Sequence, residues 1–256
     1  MSPATVSRET SVERMAWPDY LRWLRRHVKA GEHAVIIGST GSGKSWLARE
    51  VVPLFGRNVV VLDGKGGDDP SLRFPGFRTL NRWPPPVESF HPISRHVFGR
   101  EPAPVRVLVT RPVRSYAAFP EMRDLFATVL RDLMPRKGRR VYALYVDEMQ
   151  IIADPREGMG LGHLIGPLLR TKRYHGMSVV TATQYPTWIP KSSYRETTHR
   201  WFFPIEDEES SRRLGEISGH RRGVIPVLER LRRHEFLYQH VPTRRFIVSK
   251  VARRPG

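Results

Sequence analysis

Gly38-Ser-Thr-Gly-Ser-Gly43-Lys44-Ser45 is the stretch that decides how this chain is read. It satisfies the P-loop pattern, and its flanks give it context. His33 to Ile37 is an apolar run suited to a buried strand, and Ser45 to Leu54 is expected to be a helix. Glycines in the turn let backbone N–H groups curl around phosphate, and the helix N-terminus adds partial positive charge. Lys44 is expected at the β- and γ-phosphates, and Ser45 on Mg²⁺ through its hydroxyl. The expected nucleotide-binding set is Gly38, Ser39, Thr40, Gly41, Ser42, Gly43, Lys44, Ser45 and Trp46, with ATP and Mg²⁺ as ligands.

Val141-Tyr-Ala-Leu-Tyr-Val146-Asp147-Glu148 supplies the second half of such a site. An apolar strand ending in a carboxylate is the Walker B arrangement. Asp147 is the expected metal-shell residue, and Glu148 the group that polarises an attacking water. The adjacent acids argue for hydrolysis, since a kinase needs no water-activating base. Gln184 ends the run Ser178-Val-Val-Thr-Ala-Thr-Gln, where a polar side chain can reach a γ-phosphate. Arg170 and Arg173 precede that strand, and either could stabilise transition-state charge at a neighbouring subunit's nucleotide.

The remaining chain alternates strand and helix signals. Residues 1–16 are polar and expected to lie outside the ordered fold. Pro18 to Val28 reads as a short helix with Tyr20, Leu21, Leu24 and Val28 on one face and Arg22, Arg25 and Arg26 on the other. It is expected to pack its apolar stripe on the following domain. Strands are expected at 58–63, 106–110, 141–146, 178–183 and 199–203, and helices at 121–134, 161–174, 206–217 and 225–233. A closing hairpin is expected over 235–240 and 244–251. Residues 64–104, rich in Gly and Pro, read as mostly loop. This alternation predicts an α/β fold, a mainly parallel sheet with helices on both faces and ligands at the carboxyl ends of its strands. The expected organisation is an N-terminal extension over 1–30 and one domain over 31–256 with a basic C-terminal region.

The 256 residues are 39% hydrophobic, enough for one sizeable core. With no cysteine, disulfides and thiolate metal sites are excluded. No apolar run approaches the ~20 residues that span a bilayer, and no signal peptide opens the chain, so a cytoplasmic protein is expected. Lys plus Arg is 43 against 25 Asp plus Glu, a net charge of +18 that attracts polyanions. Twelve basic residues lie between Ser211 and Gly256, opposed by Glu216, Glu229 and Glu235. Nucleic acid is the expected polyanion.

The order of these features resembles the FtsK–HerA family of P-loop ATPases. The run Leu168-Leu-Arg170-Thr-Lys-Arg173-Tyr-His-Gly176-Met-Ser-Val-Val-Thr-Ala-Thr-Gln184-Tyr-Pro186 is especially similar, a helix ending in basic residues before a Gly and a strand ending in Thr-Gln. Asp63-Gly-Lys65 resembles the family's Asp-Pro-Lys, with Gly64 replacing Pro, and Arg200 falls where the family places a basic residue on the next strand. The resemblance covers roughly residues 31–217. It implies a RecA-like (ASCE) sheet, Mg²⁺-ATP hydrolysis and a hexameric homo-oligomeric ring threading double-stranded DNA. The short, basic chain is most similar to viral genome-packaging ATPases, for which a capsid or membrane vertex is an expected partner. Two further readings stay open: a Zot-like phage-assembly ATPase, and a nucleotide-gated DNA-binding switch. No Asn-Lys-x-Asp motif favours a GTPase.

Overall fold

The structure, a computed structural model, describes residues 12–66, 72–84, 104–110, 119–134, 142–170, 176–187 and 192–252. Ten strands form one sheet: β1 (Val12–Arg14), β2 (Ala34–Ile37), β3 (Asn58–Leu62), β4 (Arg78–Leu80), β5 (Arg106–Val109), β6 (Tyr142–Val146), β7 (Ser178–Thr183), β8 (His199–Phe202), β9 (Glu235–His240) and β10 (Arg245–Lys250). Their order is β1-β10-β9-β8-β2-β7-β6-β3-β5-β4. From β8 to β4 every pairing is parallel, and β9 enters antiparallel to β8. The fold is the mainly parallel α/β P-loop sheet expected from the sequence, closed at one side by the expected β9–β10 hairpin.

Eight α-helices are described: α1 (Trp17–His27), α2 (Lys44–Val51), α3 (Phe119–Asp132), α4 (Met149–Ala153), α5 (Gly162–Arg170), α6 (Ser192–Arg195), α7 (Glu208–Ser218) and α8 (Arg221–Glu229). They cover both faces. Alternation along the strands sends Val35, Ile37, Val60 and Leu62 into one core with α3, α4, α5, α7 and α8. Ala34, Ile36, Val59 and Val61 point into the other, with α1 and α2. The strands are therefore apolar at nearly every position, as doubly covered strands must be.

Several local expectations shift. Residues 12–14, read as part of a polar tail, pair in parallel with β10 at Phe246, Ile247 and Val248. Sequence pattern could not show this, because the edge that accepts them lies more than 200 residues away. The 64–104 stretch contributes the edge strand β4, paired with β5. α8 starts four residues before its expected beginning, spanning Gly223 and Pro226, because Val224 and Leu228 one turn apart both reach the core. α7 keeps its place: the Asp207 side chain accepts the Ser210 N–H at 2.7 Å, and Gly219 ends the helix at a positive φ of 70°. The described part of α5 ends at Arg170, and residues 171–174 of the expected helix lie outside the described residues.

α1 packs its apolar stripe on the sheet. Tyr20, Leu21, Trp23 and Leu24 are buried, and the Trp201 indole donates to the Tyr20 hydroxyl at 2.6 Å. Arg22, Arg25 and Arg26 remain exposed. Leu24 has no solvent exposure, so Leu24→Ala is expected to cost about 2–5 kcal/mol in a urea melt. An unchanged midpoint would place α1 outside the cooperative core.

Candidate nucleotide site

The carboxyl ends of β2, β7, β6 and β3 stand side by side. In register, Ile37 pairs Thr183, Thr181 pairs Val146, and Val146 pairs Leu62. The next residues along these four strands are Gly38, Gln184, Asp147 and Asp63, so the sheet itself assembles the site. β7 lies between the P-loop strand and the Asp147–Glu148 strand, which puts Gln184 between the two halves.

Sterics shape the loop over 38–45. A Cβ on Gly38 would lie 2.4 Å from the Phe203 Cβ, so only glycine fits there. Gly43 has φ 111°, a conformation that L side chains rarely adopt, and it precedes the first turn of α2. The Lys44 ammonium donates to the Gly38 carbonyl at 2.7 Å and to the Ser39 carbonyl at 2.9 Å. Burial pushes the Lys44 pKa down to about 8, against the opposing pull of Glu148 and Asp147. Ser45 is half-buried at the start of α2. Trp46 is also half-buried; it packs on the α1–α2 core with the Arg49 guanidinium 4.6 Å from its ring centroid.

Across β7 stand the acids. The Tyr145 hydroxyl donates to Asp147 Oδ1 at 2.8 Å, while Asp147 Oδ2 is buried without a hydrogen-bond partner. Burial first, then the adjacent Glu148 charge, push the Asp147 pKa up to about 7. Glu148 turns into the left-handed region at φ 49° and so faces its neighbours on β7 and β3. It receives Lys65 Nζ at 2.7 Å, and Gln150 Nε2 and Gln184 Nε2 each at 2.5 Å. Burial pushes its pKa up, but Lys65 and the two amides outweigh that and hold it below the usual range. Glu148 therefore carries the charge of the pair.

Gln184 bridges the halves, because its Oε1 accepts the Thr40 hydroxyl at 2.6 Å. Gln150 is aimed by the Thr183 hydroxyl, which donates to its Oε1 at 2.8 Å. Asp63 shapes the turn that delivers Lys65: its Oδ1 accepts the N–H of Lys65 at 3.0 Å and of Gly66 at 3.2 Å, and its Oδ2 the Thr110 hydroxyl at 3.0 Å. A Cβ on Gly64 would come within 2.8 Å of the Asp147 carbonyl oxygen, so this turn sits directly against the acid strand.

The structure thus brings Lys44, Asp147, Glu148 and Gln184 together, and adds Lys65, Gln150 and Tyr145. Sequence reading noticed Lys65 only through resemblance and missed Gln150 and Tyr145; an amide two residues past the acid pair is all the sequence shows of Gln150, and its burial comes from the fold. Arg170 ends α5, exposed, and Arg173 lies outside the described residues. Arg200 is buried, donating to the carbonyls of Ile217 and Tyr194 and to Thr197 Oγ1. That tethers β8 to α6 and α7.

No family model and no curated protein matches the sequence. Solved structures do match the fold. The genome packaging NTPase of Sulfolobus turreted icosahedral virus 2, in complex with ATP-gammaS, is 15% identical with a TM-score of 0.58, over 88% of this chain and 99% of that one. VirB4 of Thermoanaerobacter pseudethanolicus is 12% identical with a TM-score of 0.60, over 87% and 90%. The DNA-packaging ATPase of Sulfolobus turreted icosahedral virus has a TM-score of 0.53 at 15% identity, over 88% and 100%. At these identities the likeness is one of fold, that of a P-loop NTPase. The match spans 90% to 100% of these neighbours' own lengths.

The Lys44 pKa yields a pH expectation. Bound phosphate favours the charged ammonium and so raises the pKa in the complex above the value of about 8. Between about pH 7, where Asp147 titrates, and about pH 8 ATP affinity should be nearly flat, and above that it should fall by up to about tenfold per pH unit. Affinity that stays constant to pH 9.5 in equilibrium titrations would remove Lys44 from the phosphate contact.

Proposed function

We propose that this chain hydrolyses ATP and uses the energy to move double-stranded DNA through an oligomeric ring, as a genome-packaging motor of FtsK–HerA type. The observation that carries the reading is the buried Glu148 carboxylate, paired with Lys65, held one strand away from the P-loop and linked to it through Gln184 and Thr40. A buried acid next to the metal-shell carboxylate argues for hydrolysis over a site that only binds nucleotide.

In this reading the P-loop N–H groups and Lys44 hold the β- and γ-phosphates. Ser45 and Asp147 would hold Mg²⁺. The buried, unpartnered Asp147 Oδ2 fits a cation, and Mg²⁺ in such sites takes one or two protein ligands beside phosphate and water. When bound, the ion supplies charge neutralisation at the phosphates. Glu148 orients and deprotonates the attacking water. Gln184, bonded to both Thr40 and Glu148, responds to the γ-phosphate and reports it to the base. Lys65 balances Glu148 and adds a cation at the same edge. Arg170 or Arg173 completes the site of a neighbouring subunit in a homo-oligomeric, hexameric ring. A capsid or membrane vertex is the docking partner, and the host cytoplasm is the place of action. Among the described residues no helix is long and apolar enough to cross a membrane.

Lys44→Ala is expected to abolish ATP binding. Glu148→Gln should keep binding and lose about 10²–10⁴-fold in turnover, since a carboxamide cannot take the proton. Steady-state ATPase assays decide: equal turnover in Glu148→Gln and the parent would remove Glu148 as the base.

The DNA grip should touch phosphates and leave base edges alone, because a motor must step past every sequence. The basic C-terminal region supplies it unevenly. Arg212 and Arg213 pair with Glu216, and Arg245 pairs with Glu13, which leaves less of their charge for DNA. Arg221, Arg222, Arg232 and Arg233 are exposed. Each phosphate contact contributes about −0.9 to the log–log salt slope on duplex DNA. Neutralising these four together should lower that slope and the DNA-stimulated ATPase while basal ATPase survives. An unchanged slope would mean that the grip lies elsewhere. ATPase that DNA never stimulates, even in the unaltered chain, would favour a switch over a motor.

A further inference from the structure

A histidine outside the motifs makes a hydrogen bond to the phosphate loop. His234 lies in the turn between α8 and β9, and its Nδ1 stands 3.1 Å from the Ser42 carbonyl oxygen. A carbonyl only accepts, so Nδ1 carries the proton and donates. The ring also packs on the next residue: a Cβ on Gly43 would lie 3.3 Å from the same Nδ1.

His234 reaches this place through an uncommon backbone conformation. Its φ is 66°, in the left-handed region that residues with a Cβ seldom occupy. The surrounding turn imposes it. The Glu235 N–H donates to the Arg232 carbonyl at 2.9 Å, the Val251 N–H donates to the His234 carbonyl at 3.0 Å, and the Glu235 carboxylate accepts the Arg232 N–H at 2.8 Å. The turn is thereby tied to both strands of the closing hairpin, and the hairpin is part of the same sheet as the P-loop strand.

We propose that His234 is a positioning residue for the nucleotide site, holding the Ser42–Gly43 peptide of the P-loop in its phosphate-binding orientation. A trans peptide is planar, with its C=O and N–H on opposite sides. Fixing the Ser42 carbonyl toward His234 therefore turns the Gly43 N–H away from it. Gly43, at φ 111° and without a side chain, has several accessible orientations for this peptide, and the imidazole donor selects one. The selection costs the loop no freedom when nucleotide arrives, because the orientation is already set. The inference rests on the reading of residues 38–45 as the phosphate loop.

Two substitutions separate positioning from folding. His234→Gly keeps the left-handed backbone without strain and removes the donor. His234→Asn keeps both, because asparagine tolerates positive φ and its Nδ2 sits at the same remove along the side chain as the imidazole Nδ1. Binding of a fluorescent, non-hydrolysable ATP analogue with Mg²⁺ is measured for each, beside a urea melt. His234→Gly is expected to weaken binding about tenfold, the equivalent of one hydrogen bond, with its melting midpoint preserved. His234→Asn is expected to stay within about twofold of the parent, since it retains that bond. Parent-level affinity in His234→Gly would overturn the proposal, and so would a folded His234→Asn that binds as weakly as His234→Gly. Lys44→Ala, measured alongside, tests the other premise: if it binds the analogue as well as the parent, the phosphate-loop reading itself fails.

Discussion

Two carboxylates sit on consecutive residues at the end of a buried strand, and much of the site is arranged around that cost. Both acids are almost fully excluded from water. Two buried charges this close cannot both persist without compensation. The protein splits the burden. Lys65 and two amide donors stabilise the ionised Glu148, while Asp147 keeps one oxygen on Tyr145 and leaves the other without a protein partner. The result is one carboxylate whose pKa is held down beside one whose pKa is pushed up.

Compensation of this kind has to be delivered from several strands at once. Lys65 comes from the turn after β3, Gln184 from the end of β7, and Gln150 from the first turn after β6. A parallel sheet achieves this because every strand ends on the same side. The insertion of β7 between the P-loop strand and the acid strand matters most. It puts one side chain, Gln184, within hydrogen-bond reach of Thr40 in the loop and of Glu148 beyond it. A shift of the loop at Thr40 and a shift of the Glu148 carboxylate are then felt by the same amide.

The core explains why such a charged site can be held rigidly. Each strand beneath it is covered on both faces, by α1 and α2 on one side and by α3, α4, α5, α7 and α8 on the other. Phe203 and His234 then brace the loop from the side of β8 and the hairpin. Phe203 excludes any side chain at Gly38, and the same ring lies 3.5 Å from the Cβ position of Gly43. The C-terminal hairpin thus supports the loop over 38–45 as well as extending the sheet.

The sequence by itself determined the parts of this protein whose constraints are local. Gly38 to Ser45 is legible because a phosphate-cradling turn needs glycine at fixed offsets, and Asp147–Glu148 because an apolar strand ending in acids has few other uses. The parallel sheet was legible from strand and helix alternation. Only the tertiary structure decided which polar residues serve those motifs. Lys65 reaches Glu148 across 83 positions, and His234 reaches Ser42 across 192. Nothing in the neighbourhood of either residue in the chain marks the contact. The same holds for Val12–Arg14, whose pairing partner is β10, and for the arginines, where burial and acid partners separate Arg200, Arg213 and Arg245 from the exposed ones. Local pattern is set by the backbone's own geometry, whereas charge compensation and edge pairing depend on which distant strands the sheet brings together.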